Sequence, residues 1–378
     1  MKTAATELFG IDIPIFAFSH CRDVVAAVSK AGGLGVLGAV THTEEQLAID
    51  LEWIEAELGG RPYGVDVIVP AWTVGSDAIA TIADVEAMIP QSHRDFLREI
   101  MERYEVPPLP DGEESGRFGL RSEQAAPFSP EQVGAQLDVA LSYDAALYVN
   151  ALGPPPGFMI DKVKKAGRLI GALAGKVQHA VRHVNAGVDL IIAQGAEAGG
   201  HTGEIGTMVL VPEVVDAVKV PVLGAGGIGR GRQMAAAMAL GASGVWCGSV
   251  WLTTLEAETH PVVKEKFLAA TAEDTIRSRS LTGKPARQLK SAWTEEWDDP
   301  NTPAPLEMPL QPILIDEAIV RIDRAAHHKG SGAERLINYF VGQVVGSMNE
   351  SKPTSQVIFE MVDEFVDAVT ELGIQLES

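Results

Sequence analysis

Short apolar runs alternate along the chain with stretches whose apolar residues recur at helical spacing. Ile13 to Phe18, Leu34 to Leu37 and Val65 to Val69 are runs of strand length. Between them Asp23 to Ala31 reads as a helix closed by Gly32-Gly33. Thr43 to Leu58 carries Leu47, Leu51, Ile54 and Leu58 on one face and ends at Gly59-Gly60. Strand, helix, strand, helix, strand predicts a parallel sheet with helical crossovers.

The rhythm breaks over 75–142. Ile79, Ile82, Val85 and Ile89 suggest a helix stopped by Pro90, and Phe96, Leu97, Ile100 and Tyr104 suggest another. Val106 to Pro130 is rich in Pro, Gly, Glu and Ser and reads as an exposed loop; Glu131 to Ser142 reads as a helix. The region is predicted to be an elaborated third crossover. Alternation resumes at Ala145 to Val149. Arg168 to Leu173, Val188 to Ala193, Pro221 to Ala225 and Ser243 to Cys247 supply the fifth to eighth strands. Eight strand–helix units in roughly 250 residues match an α/β fold of the (β/α)8 TIM-barrel type, with an open doubly wound sheet as the alternative.

After Val250 the pattern changes. Glu256 to Ala270 looks helical, and Leu281 to Pro312 is irregular. Residues 251–334 are predicted to form a smaller capping domain inserted after strand eight of a 1–250 barrel. Residues 335–378 follow as two helices, one with Leu336, Ile337, Phe340, Val341, Val344 and Met348 and one with Ile358, Met361, Phe365, Val369 and Leu372, packing back on the barrel.

A formal net charge of -21 argues against nucleic acid and anionic membrane surfaces as partners. The two cysteines, Cys21 and Cys247, form no C-x-x-C pair, so neither a zinc cluster nor a disulfide framework is expected. The amino terminus has no signal-peptide core and no apolar run reaches membrane-spanning length, which points to the cytoplasm. Whether the chain forms a homo-oligomer is not legible in the sequence.

Candidate chemistry gathers behind the sixth strand. The loop after Gln194 holds Gly195, Gly199, Gly200, Gly203 and Gly206 around one imidazole, His201. Glycine at this density suits a backbone that turns tightly or approaches a ligand. The C-terminal end of a barrel strand is where this fold keeps its catalytic groups. Two stretches match G-x-G-x-x-G: Gly33, Gly35, Gly38, and Gly224, Gly226, Gly229. The first follows a helix, and the second lacks the acidic residue that should end the next strand, so a Rossmann site is disfavoured. In a barrel, Gly226-Gly227 and Gly248-Ser249 instead follow strands seven and eight, the usual phosphate site, with a helix from Gly229 adding its positive end. Two tight βα turns without a ligand are the plainer alternative. A phosphate site beside a histidine loop implies a phosphorylated substrate or a cofactor such as FMN.

Ala193-Gln194-Gly195-x-Glu197-Ala198-Gly199-Gly200-His201 resembles the signature of the nitronate monooxygenase (2-nitropropane dioxygenase) family. Ala225-Gly226-Gly227-Ile228 and Gly241-Ala242-x-Gly244-Val245-x-x-Gly248-Ser249 are similar to the same family, as are Thr282 to Arg287 and Gly342 to Gly346. The resemblance implies an FMN-containing barrel with a capping domain that oxidises alkyl nitronates with O2 to a carbonyl compound and nitrite. It places Gln194, Gly199, Gly200, Gly226, Gly227, Gly248 and Ser249 at FMN and makes His201 the catalytic residue. Ala17-Phe18-Ser19 would lie along the flavin, where the family has Ala-Pro-Met. Asp66 stands where the family commonly has Asn, and an ionised acid there would oppose an anionic reduced ring. The related FMN-dependent enoyl-thioester reductases, which use NAD(P)H, share these elements and remain the alternative; a third is a barrel that binds FMN without catalysis.

A histidine near its ordinary value of about 6.5 suits α-proton abstraction from a nitroalkane, and its cationic or hydrogen-bonding form suits holding nitronate oxygens. Other candidates carry less. His20 follows strand one and could line the mouth, but a place on the surface or behind the site is the favoured reading; His179 and His183 read as a solvated helix face, Cys247 as a core thiol and His327-His328 as exposed.

Overall fold

The computed structural model describes residues 1–40, 42–67, 82–110, 130–151 and 153–377. Eleven strands are present among the described residues: β1 (Ile15–Ser19), β2 (Leu34–Gly38), β3 (Gly64–Asp66), β4 (Leu147–Asn150), β5 (Leu169–Ala174), β6 (Leu190–Gln194), β7 (Gly200–His201), β8 (Val222–Ala225), β9 (Gly244–Cys247), β10 (Thr275–Ser278) and β11 (Ala286–Leu289). Eight of them close a parallel barrel in the order β1-β2-β3-β4-β5-β6-β8-β9, and β9 returns to β1 through Ile15↔Val245. The doubly wound alternative is thereby removed.

Alternation along each strand sorts the side chains into two layers. Phe16, Leu34, Val36, Leu147, Val149, Leu190, Ile192, Leu223 and Trp246 fill the interior. Ile15, Ala17, Ile191, Ala193, Val245 and Cys247 face outward into the helical layer, which makes Cys247 the packed thiol expected. The helix Ala4–Phe9 plugs the N-terminal end: Phe9 meets Phe16 edge-on with ring centroids 5.4 Å apart. The C-terminal end is the mouth.

The helix Glu44–Leu58 starts at the predicted Thr43, whose hydroxyl accepts the Gln46 amide, and ends at Gly59 in the left-handed region. The helix expected around Pro212 begins earlier, at Thr207, because the Glu197 carboxylate accepts the Thr207 amide at 3.0 Å. His183 departs from expectation. It is buried rather than solvated, and its Nε2 lies 3.1 Å from the Leu173 carbonyl, while His179 is exposed.

The cap contains the antiparallel sheet β10-β11-β7, so the strand holding His201 belongs to it. Its apolar core joins Phe267, Trp293, Trp297, Ile315 and Ile322 to Phe96 and Ile100 from the helix Gln91–Arg103 and to Tyr104 just past its end. The cap therefore draws on the third crossover and on the loop after β6 as well as on the chain beyond β9. The loop expected over 106–130 lies largely outside the described residues.

The stretch expected as one helix from Leu336 to Met348 is instead a short helix Ala333–Leu336, an extended piece and a turn at Gln343–Ser347. It packs in the cap, because Phe340 bridges to Gln288 of β11 and Gly342 approaches Glu197. The last helix, Thr354–Glu377, does pack on the barrel through Ile358 and Met361. Among the described residues no helix is long and apolar enough to cross a membrane.

Candidate active site at the barrel mouth

The glycine loop after β6 crosses the mouth and becomes an edge of the cap sheet. Gly200 pairs with Arg287 and His201 with Ala286. Gly200 holds φ +75, and a Cβ there would meet nothing within 4 Å, so this side of the loop faces open space. Gly199 differs: a Cβ would stand 2.8 Å from the Gly342 amide, since two backbones touch there. The loop is held from three directions. Arg287 Nε donates to Ala196 O at 2.9 Å, Arg277 donates to Thr202 O at 3.1 Å, and Gln343 N donates to Glu197 O at 2.9 Å.

His201 is half-buried, with Nε2 2.8 Å from Thr282 Oγ1 and the ring 6.2 Å from that of Phe340. The Thr282 hydroxyl donates to the Lys284 carbonyl at 3.2 Å and so accepts from His201. This network assigns the proton to Nε2 and leaves the lone pair on Nδ1, which has no hydrogen-bond partner among the described residues. Burial first, and the neighbouring Lys284 second, push the imidazole down to about 4. The ring is therefore neutral at physiological pH. The shift takes it below the unperturbed histidine value of about 6.5 and favours the neutral, hydrogen-bonding form over the cationic one.

The turn after β8 lies against the same loop. Gly195 N donates to Ala225 O at 2.9 Å, and Gly226 and Gly227 hold φ +103 and +69. Thr207 Oγ1, fixed 2.8 Å from Glu197 Oε2, lies 2.9 Å from Gly226 O and sets the turn. The amides of Gly227, Ile228 and Gly248 have no acceptor among the described residues. Three free N–H groups on two adjoining turns fit a phosphate. The helix expected from Gly229 starts at Gly231, and Gln233 Oε1 accepts the Gly229 and Arg230 amides at 2.9 and 3.1 Å, so those two N–H groups are occupied. Ser249 Oγ accepts from Gly342 N at 2.8 Å, tying β9 to the cap segment.

Of the three strand-one residues, Phe18 alone points into the mouth, stacked on Trp246 with centroids 6.1 Å apart. Ala17 faces the outer layer, and the Ser19 hydroxyl accepts the Cys21 amide at 3.1 Å. Gln194, on the interior face of β6, and Gly248, whose Cβ would stand 3.8 Å from Phe18, belong to the mouth. Asp66 ends β3 on the interior face and is 2% exposed. His20 lies nearby, its Nδ1 2.8 Å from Gly38 O. Sequence reasoning assigned no role to Thr282, Arg277, Arg287 or Phe340. Two of these lie in the Thr282 to Arg287 motif, but nothing in its spacing reveals that Thr282 meets an imidazole 81 positions earlier.

An eight-stranded parallel barrel with a neutral imidazole, free amides and an aromatic pair at its C-terminal mouth defines a (β/α)8-barrel enzyme. Residues 2–364 match the family model for nitronate monooxygenase. The chain belongs to the nitronate monooxygenase family of flavin-dependent oxidoreductases. It is 55% identical over 374 residues to a Mycobacterium tuberculosis protein provisionally named a monooxygenase, covering 98% of each chain. It is 30% identical to a Staphylococcus saprophyticus protein provisionally named a nitronate monooxygenase, covering 93% of this chain and 98% of that one. Among solved structures it is similar to nitroalkane oxidase from Streptomyces ansochromogenes, with a TM-score of 0.78 and 27% identity over 98% of this chain and 100% of that one. FabK from Thermotoga maritima superposes with a TM-score of 0.72 at 28% identity, covering 98% of both chains.

Proposed function

We propose that the protein binds FMN at the barrel mouth and oxidises alkyl nitronates with O2, giving a carbonyl compound and nitrite. The observation that carries this reading is the placement of the unpartnered His201 Nδ1 and the free Gly227 and Ile228 amides at the same end of the barrel. The family match and the likeness to a nitroalkane oxidase support it. The amides of Gly227, Ile228 and Gly248 would hold the phosphate, and Phe18, Asp66 and Gln194 would face the ring system. When bound, the flavin supplies electron acceptance and reaction with oxygen.

The protein's own part is to bind and orient the nitro compound and to move its proton. His201 Nδ1 is the acceptor for the α-proton of a neutral nitroalkane. Thr282 fixes the tautomer that puts the lone pair there. A base near 4 is always unprotonated at neutral pH but lies well below the value best suited to abstraction. Preformed nitronate, which needs no base, is therefore the better substrate. Replacing Thr282 by Val should lower turnover of the neutral nitroalkane by about tenfold, the worth of one hydrogen bond, and leave nitronate turnover nearly unchanged. Thr282→Ser should restore it. Equal losses on both substrates would assign Thr282 a merely structural role.

The enoyl-thioester reductase remains the second reading. One experiment separates the two: enzyme mixed with nitronate and oxygen, and separately with NADPH without oxygen. Nitrite release with little flavin bleaching by the nicotinamide supports nitronate oxidation. Rapid bleaching, reoxidation by an enoyl thioester and no nitrite transfer the assignment to the reductase.

A further inference from the structure

Asp66 sits in the barrel interior where an ionised carboxylate has little to hold it. Asp66 is 2% exposed, the backbone N–H of Ala151 faces its carboxyl, and its Oδ1 has no hydrogen-bond partner among the described residues. The neighbouring strands offer no counter-charge. β2 presents Gly38, with His20 bonded at its carbonyl; β4 presents Val149; Phe18 of β1 lies against Gly38. Among these described groups His20 is the one titratable side chain, and no ion pair to Asp66 exists among the described residues. A buried acid in this position lowers its free energy by taking a proton, which turns an orphaned acceptor into an O–H donor.

We propose that Asp66 is a neutral carboxylic acid that donates its O–H to an acceptor atom on the ring of the bound flavin. This rests on the FMN reading above. Desolvation raises the carboxyl well above the ordinary range, in keeping with the geometry. The expectation of an ionised acid opposing a reduced anionic ring is thereby replaced: a neutral donor lends such a ring a hydrogen bond.

The sign of the pH dependence follows. The donor exists below the Asp66 pKa and is lost as pH rises through it, so flavin binding weakens on the alkaline side. FMN titration of the flavin-stripped protein, followed by fluorescence quenching from neutral to alkaline pH, reads this without turnover. Wild-type Kd should rise by up to roughly tenfold per pH unit once Asp66 ionises. Asp66→Asn, which keeps a donor and cannot ionise, should bind tightly with no such rise. Infrared spectroscopy gives an independent reading on the flavin-free protein. A protonated-carboxyl stretch should be present in the wild type at neutral pH, absent in Asp66→Asn, and lost over the pH range where binding weakens. A wild-type protein without that band overturns the proposal, as does an Asp66→Asn variant that follows the wild-type pH profile; tight FMN binding in either case leaves the flavin reading intact. Failure of the wild type to bind FMN at any pH overturns the flavin reading and this proposal together.

Discussion

Replacing His201 by Asn is expected to slow turnover of neutral nitroalkanes by about 10²–10⁴-fold while the protein stays yellow. The amide keeps a polar atom near the Nδ1 position but cannot accept a proton. The loop should survive, because its anchors at Ala196, Thr202 and Glu197 do not involve the imidazole. Preformed nitronate bypasses the missing step, so its loss should be much smaller. The pH profile adds a second check. The ring is pushed down to about 4, so the neutral form persists as pH falls and is lost only near that value. The acid limb of kcat/KM for a neutral nitroalkane should therefore lie well below the 6.5 of an unperturbed histidine and vanish in His201→Asn. If the variant retains wild-type turnover on the neutral substrate, another group is the base.

The barrel was legible because strand alternation is a local signal. All eight barrel strands fall within a few residues of the apolar runs that predict them. The cap was legible only as irregular chain after Val250. Its membership depends on contacts between distant segments, such as Phe96 meeting Trp297 edge-on at 5.0 Å, which no periodicity records. The same limit governs the site. His201, Gln194 and the glycine turns announce themselves by motif, whereas Thr282 is one threonine among many until the cap folds over the loop. Electrostatics were legible in kind but not in degree. His201 was visible as a titratable group, yet the burial that depresses it comes from packing around the mouth. Asp66 was visible as an acid, while its lack of an ion pair among the described residues follows from how β2 and β4 flank it.

Replacing Gly227 by Val is expected to give a folded protein that cannot hold FMN. Gly227 has φ +69, where a β-branched residue is strained, and its Cβ would stand 3.1 Å from Cβ of Glu197. Glu197 cannot yield easily, because its carboxylate is tied to Thr207 N and Oγ1 and its carbonyl to Gln343 N. The turn itself must shift, which withdraws the Gly227 and Ile228 amides from the phosphate position. A matched control separates strain from site. Gly59 also has positive φ, +55, but lies at the end of the helix Glu44–Leu58, and a Cβ there meets nothing within 4 Å. Gly59→Val carries a comparable backbone penalty of about 1–2 kcal/mol and should lower the melting temperature without changing flavin content. Gly227→Val should lose the flavin absorbance and resist reconstitution at FMN concentrations that saturate the wild type. Stoichiometric FMN in purified Gly227→Val would move the phosphate away from this turn. Loss of flavin from both variants would trace the effect to general destabilisation instead.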